Sequence, residues 1–577
     1  MSDDDGQSVD SITLEVIRNA CVAVAEEMNA TLIRTSYSPN IKDRRDCSCA
    51  LFDVDAEMIS QAENIPVHLG AMPYSVEAAI DWFPPDTLQP GDGILVNDPF
   101  HGGAHLPDLT LVSPIFDGEE LLGFAANRAH HADIGGGRAG SVAADSTEIY
   151  QEGLRIPPVK LFEAGEQNDD VMTLVLANVR TPDERRGDLR AQHAANQTAI
   201  DRFHELLDRY GAEQLTETMG AIKDYSERRM RAEITELPDG IYEFSDRLDD
   251  DGYGNTDLPI TVAVTVDGDE LHVDFTGTAE QVRGAINAPF AVTASATYYA
   301  VRCVTDPDIP PNHGCYRPIE ITAPEGTIVN AQPPAAVVGG NLEVSQRATD
   351  TLLGAFGMDV PERALGGCQG TMNNITFGGT DPRTDEPYAF YETLGGGFGG
   401  RQGKDGMDGV HVHMSNTLNT PVEVFETAYP LRIRRYEYRS DSGGAGRFRG
   451  GLGLRRDIEV LDHDSTFSLL ADRRRNRPYG INGGASGANG EDYLKNANSD
   501  EWELIPPKSS HQLSDGDVVS VRTPGAGGYG DPAERSLSTI RRDIELEKIS
   551  KTAASEEYGY SIEALETCLE SDDPGET

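Results

Sequence analysis

Cysteine and lysine are both scarce in this chain, and a run of about 18 apolar residues, which a bilayer-crossing helix needs, is missing. Seven cysteines, Cys21, Cys47, Cys49, Cys303, Cys315, Cys368 and Cys568, are spread over 577 residues. That is too thin for a disulfide framework, so a reducing, cytoplasmic setting is expected. The start, Met-Ser-Asp-Asp-Asp-Gly, has neither the basic nor the apolar part of a signal peptide. Lysine occurs only at positions 42, 160, 223, 404, 495, 508, 548 and 551, so nearly all of the 48 basic residues are arginine. Against them stand 97 acidic residues, for a formal charge of -49. Nucleic acid and anionic membranes are excluded as natural partners by that charge at ordinary salt.

What the chain does have is a concentration of nitrogen and oxygen ligands in its first third. Asn97-Asp98-Pro99-Phe100-His101-Gly102-Gly103-Ala104-His105-Leu106-Pro107-Asp108 is followed closely by Asn127-Arg128-Ala129-His130-His131-Ala132-Asp133. Histidine and carboxylate suit a divalent transition ion, and the glycines allow a loop to bend around it. His105 and Asp108 are three residues apart and need a third ligand, which His130 or His131 can supply. The runs Leu109 to Phe116 and Leu121 to Ala126, joined at Asp117-Gly118, predict a hairpin that folds the second motif beside the first. One histidine alone would be read as an ordinary loop or core residue; the clustering argues for a metal.

The remaining pattern predicts an α+β protein, mixed and multi-layered, with a β-rich centre and helical N-terminal and C-terminal segments. Expected regions are 1–180 (α+β, carrying the metal motifs), 181–238 (helical), 239–534 (β-rich and glycine-rich) and 535–577 (acidic, helical, ending in a loose tail). Residues 1–10 are expected to be loose as well. Leu14, Ile17, Cys21, Val24, Met28 and Leu32 mark an amphipathic helix, and strands are expected at Cys47–Phe52 and Gly93–Val96. Thr181-Pro182-Asp183-Glu184 reads as a capping box opening two helices that break at Tyr210-Gly211. From Asp239 the period is two, with a turn at Asp267-Gly268. Cys47 and Cys49 would share one strand face and are read as core. The glycine-rich stretches 395–400, 443–446 and 525–530 are read as tight turns: Gly403-Lys404 is followed by Asp405 where a phosphate loop needs Ser or Thr. His411-Val412-His413 would share a strand face and is read as structural or substrate-lining.

Ile65-Pro66-Val67-His68-Leu69-Gly70-Ala71-Met72, the two motifs above and Thr147-Glu148-Ile149-Tyr150-Gln151-Glu152-Gly153 resemble the hydantoinase B/oxoprolinase family. That family includes B subunits of N-methylhydantoinase and 5-oxoprolinase and the related α subunits of acetone carboxylase. The resemblance implies His105, Asp108 and His130 as ligands of a divalent metal (Mn, Zn or Fe), with Ala104 replacing the commoner Thr in that loop. It also implies a hydantoinase A-type partner that binds ATP, a hetero-oligomer and a small cyclic amide substrate. His131 or Asp133 is the expected proton acceptor, Arg128 the ligand of a phosphate or carboxylate, and His68 a supporting or substrate group. Ring opening of a hydantoin or 5-oxoproline is the expected reaction; ketone carboxylation and a scaffold without a working site are the alternatives. The acidic composition further resembles that of haloarchaeal proteins. Self-repulsion at this charge destabilises the compact state until salt screens it, the Debye length falling to about 3 Å at 1 M. The melting temperature of the purified chain is therefore expected to rise by on the order of 10 °C between 0.1 M and 2 M KCl. A scanning calorimetry series that stays flat or falls would contradict this.

Overall fold

A computed structural model of the chain describes residues 9–62 and 64–570. The ends expected to be loose lie largely outside them. Asp10 caps α1 (Ser11–Thr35), its carboxylate accepting from the amides of Ile12 and Thr13, and the stripe from Leu14 to Leu32 is the helix's buried face. A short α2 (Pro39–Lys42) leads to β1 (Cys47–Phe52) and β2 (Met58–Gln61), then α3 (Pro66–Trp82), β3 (Gly93–Val96), β4 (Asp108–Asp117) and β5 (Glu120–His130). With β6 (Val159–Glu163) and β7 (Glu166–Gln167) these strands make one sheet, ordered β2-β1-β5-β4-β3-β6-β7. Alternation splits each strand between two cores. Cys47, Cys49 and Leu51 pack with α1, whereas Ala50 and Phe52 join the core on the opposite face.

After α4 (Asp169–Leu176), helices α5 (Pro182–Tyr210) and α6 (Ala212–Thr235) are separated at Gly211, whose φ of 79° is in the left-handed region. Pro182 takes the first helical position, but the expected capping box does not form. Thr181 makes no side-chain cap bond, and Glu184 is drawn instead to Arg185, whose Nη2 donates to it at 3.1 Å. β8 (Gly240–Asp250), β9 (Thr256–Asp267), β10 (Glu270–Asp274) and β11 (Ile319–Thr322) form a second sheet. It packs on α7 (Phe290–Val304) and α8 (Ser345–Asp359) in the largest core. Later come β12 (Asn374–Asp381), β13 (Glu386–Glu392), β14 (Leu431–Tyr438), β15 (Leu454–Val460), β16 (Ser465–Leu470), β17 (Glu491–Lys495), β18 (Glu503–Leu504), β19 (Lys508–Leu513) and β20 (Val518–Arg522). They divide into sheets β13-β12-β16-β19 and β14-β15-β20-β17-β18, which share a core of Phe377, Phe467, Ile458 and Val521. The C-terminal helices, Leu537–Glu545, Lys551–Glu556 and Ile562–Glu570, have their own small core. The class is α+β, mixed and layered as the sequence predicts.

The glycine-rich stretches differ from expectation. Of Gly395–Gly400, Gly443–Gly446 and Gly525–Gly530, only Gly530 has positive φ. They run backbone against backbone: Gly444 donates to the carbonyl of Ala526, Gly400 to Gly527 and Gly527 to Gly367. A Cβ on Gly450 would lie 1.9 Å from the carbonyl oxygen of Ala526, and one on Gly525 1.8 Å from that of Ser442. Close approach of three chain segments, more than turning, is what these glycines serve.

Gly70, inside α3, serves a similar end where it crosses α7: a Cβ there would lie 2.6 Å from the Ser295 Cα. Backbone cannot yield by that much, so Gly70→Ala is expected to lower stability by about 1–3 kcal/mol despite its better helix propensity. Chemical denaturation of the two proteins side by side measures this, and a stabilised variant would refute the packing argument.

Candidate metal centre

The β4–β5 hairpin forms in the register that pairs Asp108 with His130 across the two strands. His105 lies one turn before β4 and its carbonyl accepts from the Asp108 amide at 3.1 Å, so two motifs 22 residues apart end at one point. The loop before it is held by Asn97, which donates to the carbonyls of Leu106 and Leu154. Asp108 Oδ1 lies 3.0 Å from His105 Nε2 and 3.0 Å from His130 Nδ1, and the two ring nitrogens are 3.3 Å apart. All three side chains are buried.

The polar atoms of this cluster are only partly paired. His105 Nδ1 faces the Val338 carbonyl at 3.4 Å, and the Asn341 amide nitrogen lies 3.2 Å from its Nε2. That tautomer points an Nε2 lone pair at a carboxylate oxygen. Asp108 Oδ2 and His130 Nε2 are buried with no hydrogen-bond partner. Burial works to raise the Asp108 pKa, but His105, His68 and His130 outweigh it and hold the carboxyl well below its usual range. Burial lowers the pKa of His130, against the pull of Asp108 and Asp46. An ionised carboxylate with two imidazole nitrogens at these spacings fits a borderline divalent ion. A carbonyl on the outer ring nitrogen, as at His105, is the usual support for a metal-bound histidine.

His68, on α3, joins this group: its Nε2 lies 3.4 Å from Asp108 Oδ2 and 3.8 Å from Asp46 Oδ1. Arg128 is buried on β5, donating to Thr110 and Ser75, with Nη1 unpartnered; burial brings its pKa down to about 10. His131 and Asp133 do not join the group. His131 follows the last residue of β5, and its Nε2 meets Gln192 of α5 at 3.0 Å. Burial first, then Arg185, lowers its pKa to about 4. Asp133 accepts from the amides of Gly135, Gly140 and Arg180 and pairs with the Arg180 guanidinium at 2.8 Å, so it shapes a loop.

Several residues of the centre carry no motif in the sequence. Asp46, Asn341 and Tyr391 line the same small cavity as His68 and His130, and the Tyr391 ring stacks on His130 at 4.4 Å. Asn341 lies in a π-helical turn, Gly340–Val344, that precedes α8. The available signal was polarity: Asn341, Glu343, Gln346 and Arg347 all sit in a fully buried stretch. Glu152 accepts from the amides of Val337 and Val338, and Val338 in turn faces His105.

A second group, Asp350, Cys368 and His413, brings its donor atoms within 4.8 Å of one another. Asp350 is already engaged by Arg473 at 2.9 Å and by His413 at 3.1 Å, and burial raises the Cys368 thiol well above its usual pKa. Those bonds read as a buried ion-pair network. His411 and His413 do not share a strand face. His411 bonds Asn419, and His413 has a φ of 47° and faces Asp350.

The family description "Hydantoinase B/oxoprolinase" matches residues 10–532, and the chain belongs to that family. An uncharacterized protein of Methanocaldococcus jannaschii is 44% identical over 96% of both chains. 5-oxoprolinase 1 of Arabidopsis thaliana is 37% identical over 90% of this chain, which spans 42% of that longer protein. The crystal structure of the ATP-dependent caprolactamase from Pseudomonas jessenii superposes with a TM-score of 0.90 at 34% identity, over 96% of each chain. The nucleotide-free structure of an acetone carboxylase shares the fold, with a TM-score of 0.89 at 20% identity over 96% of this chain and 80% of that one. Among the described residues no helix is long and apolar enough to cross a membrane.

Glu152 gives this centre a pH signature. Burial pushes its pKa up to about 8, against the bonds from Val338 and Val337. The unfolded chain ionises this carboxyl above its ordinary value of 4.5, while the folded chain keeps it protonated until about 8. Its contribution is therefore full below pH 4.5 and lost as pH rises toward 8. Glu152→Gln starts from a loss, because its amide nitrogen would face one of the two backbone N–H groups that Glu152 accepts, but the difference from wild type is expected to move in the variant's favour by a few kcal/mol, at about 1.4 kcal/mol per pKa unit, as pH rises from 5 to 8. Urea titrations of both proteins across that range measure it; a difference independent of pH would show that Glu152 is ionised when folded.

Proposed function

We propose that this chain is the B-type subunit of an ATP-dependent cyclic amidohydrolase, with His105, Asp108 and His130 holding a divalent cation. The observation that carries this reading is the convergence of two imidazole nitrogens and a carboxylate oxygen within 3.3 Å, with unpartnered polar atoms around them. Beside them lies a cavity of about 20 Å³, lined by His68, His130, Asp46 and Tyr391. That is room for about one water molecule. When bound, a divalent cation lowers the pKa of such a water toward neutrality and polarises an amide oxygen.

His68 is the group we assign to take the proton, since it lines that cavity and the Asp108 and Asp46 carboxylates beside its Nε2 would stabilise the imidazolium formed. His131 and Asp133 are held elsewhere by Gln192 and Arg180. Arg128 brings a guanidinium whose Nη1 is unpartnered, suited to an anionic group on the substrate. A five-membered lactam is resonance-stabilised, and opening it requires activation. In our reading the A-type partner phosphorylates the amide oxygen with ATP. Water then adds to that carbon, the C–N bond breaks with the nitrogen leaving as a protonated amine, and a second water hydrolyses the resulting acyl phosphate to carboxylate and phosphate. Two observations support a partner that binds the nucleotide: this chain lacks a phosphate loop, and the caprolactamase that shares its fold is ATP-dependent. The greater identity to the caprolactamase than to the acetone carboxylase, 34% against 20%, favours hydrolysis over carboxylation.

Elemental analysis and turnover test this together, on the chain assembled with its A-type partner in high salt. Wild type is expected to carry about one divalent ion per chain. His105→Ala is expected to lose it, with ATP-dependent opening of 5-oxoproline or hydantoin falling by about 100-fold or more. A metal-free preparation with full turnover would sink the proposal and leave the scaffold reading.

A further inference from the structure

The largest question left by the centre is one of room: about 20 Å³ holds a water but not a lactam ring. A larger pocket, of about 200 Å³, lies directly behind one wall of that cavity. Ile65, Val67, Met414 and Ser415 line the cavity, whereas Asn64, Pro66 and Asn416 line the pocket. Neighbouring residues of two chain segments thus face alternate chambers, and the partition is one backbone thick. It is held by the Val67 backbone N–H donating to the Met414 carbonyl at 3.4 Å and by the Asn416 side-chain Nδ2 donating to the Asn64 carbonyl at 3.1 Å.

The pocket's chemistry is that of a small, flat, polar anion. Tyr298 and Tyr316 are stacked with centroids 4.0 Å apart, and Tyr299 adds a third ring. Gln61, Asn64, Asn416 and Ser295 offer amide and hydroxyl groups to match a ring N–H and C=O. Arg302 also lines it. Its hydrogen bonds go to the Cys315 thiol and the carbonyls of Pro307 and Ile309, and among the described residues it has no carboxylate partner. In a chain of charge -49, a guanidinium left to a pocket wall is a site for an incoming carboxylate.

We propose that the Tyr298–Tyr299–Tyr316–Arg302 pocket holds a carboxylate-bearing small lactam until it is activated, and that the partition at residues 64–67 and 414–416 opens to pass the activated ring to the metal centre. This deepens the hydrolase reading and rests on it for the identity of the substrate. Binding, however, is measured without ATP or turnover, so the two fail separately. Equilibrium dialysis of the full chain with labelled 5-oxoproline, competed by 2-pyrrolidone, is the experiment. Arg302→Met is expected to weaken 5-oxoproline binding about ten-fold or more. It should leave 2-pyrrolidone binding within about two-fold of wild type and leave metal content unchanged. Arg302→Gln, whose side-chain amide can still donate to the Pro307 or Ile309 carbonyl, is expected to act in the same way and stands in if Arg302→Met fails to fold. No saturable binding of 5-oxoproline by wild type overturns the proposal. So does loss of both ligands alike, or unaltered binding in the variants.

Discussion

The centre depends on the register of a single hairpin. Because side chains in a strand alternate faces, moving β5 by one residue against β4 would replace His130 by Ala129 or His131 opposite Asp108. Register is held from both sides. β1 pairs with β5 along Cys47–Ala129 to Phe52–Phe124, and Gln192 and Asn196 of α5 bond the backbone and side chains of the hairpin. Besides packing on the sheet, this helix therefore fixes polar geometry. It does so through residues whose amide groups are buried and matched, which a slipped register would leave unsatisfied.

A second constraint is how the chain places charge. Its surface is acidic, but its core contains arginines such as Arg347, Arg456 and Arg473, each matched to a carboxylate. Arg347 and Lys508 meet on Asp472, and Arg473 meets Asp350 and Asp246. Breaking one such pair leaves an uncompensated buried charge, at a cost of about 3–5 kcal/mol, far more than any exposed pair contributes. The candidate centre stands apart from these pairs, since Asp108 is buried, held well below its usual pKa, and meets only imidazoles.

Much of this was legible in the sequence, and the reasons are local. The stripe of α1, the ends of β1 and β3, the hairpin turn and the break at Gly211 are each set by residues within a few positions. His105, Asp108 and His130 were legible because their motifs are contiguous and the hairpin between them is short. Asp46, Asn341 and Tyr391 were not, because they arrive from three separate places, the approach to β1, a π-helical turn and β13, with no motif linking them to the hairpin. His131 and Asp133 lay next to a true neighbour of the centre and were placed there by proximity in sequence, whereas alternation turns His131 toward α5. The glycine stretches were misread for a different reason. A glycine needed for positive φ and one needed for close approach look the same in sequence, and only tertiary packing separates them.

The single-backbone partition between pocket and cavity has a consequence for how such a protein can change. Asn64 and Pro66 touch one chamber while Ile65 and Val67 touch the other. Selection for a new ring shape and selection on the reacting atoms must therefore act through the same short segment. A chain built this way does not adjust recognition and chemistry as separate modules; each change on one side of the wall is inherited by the other.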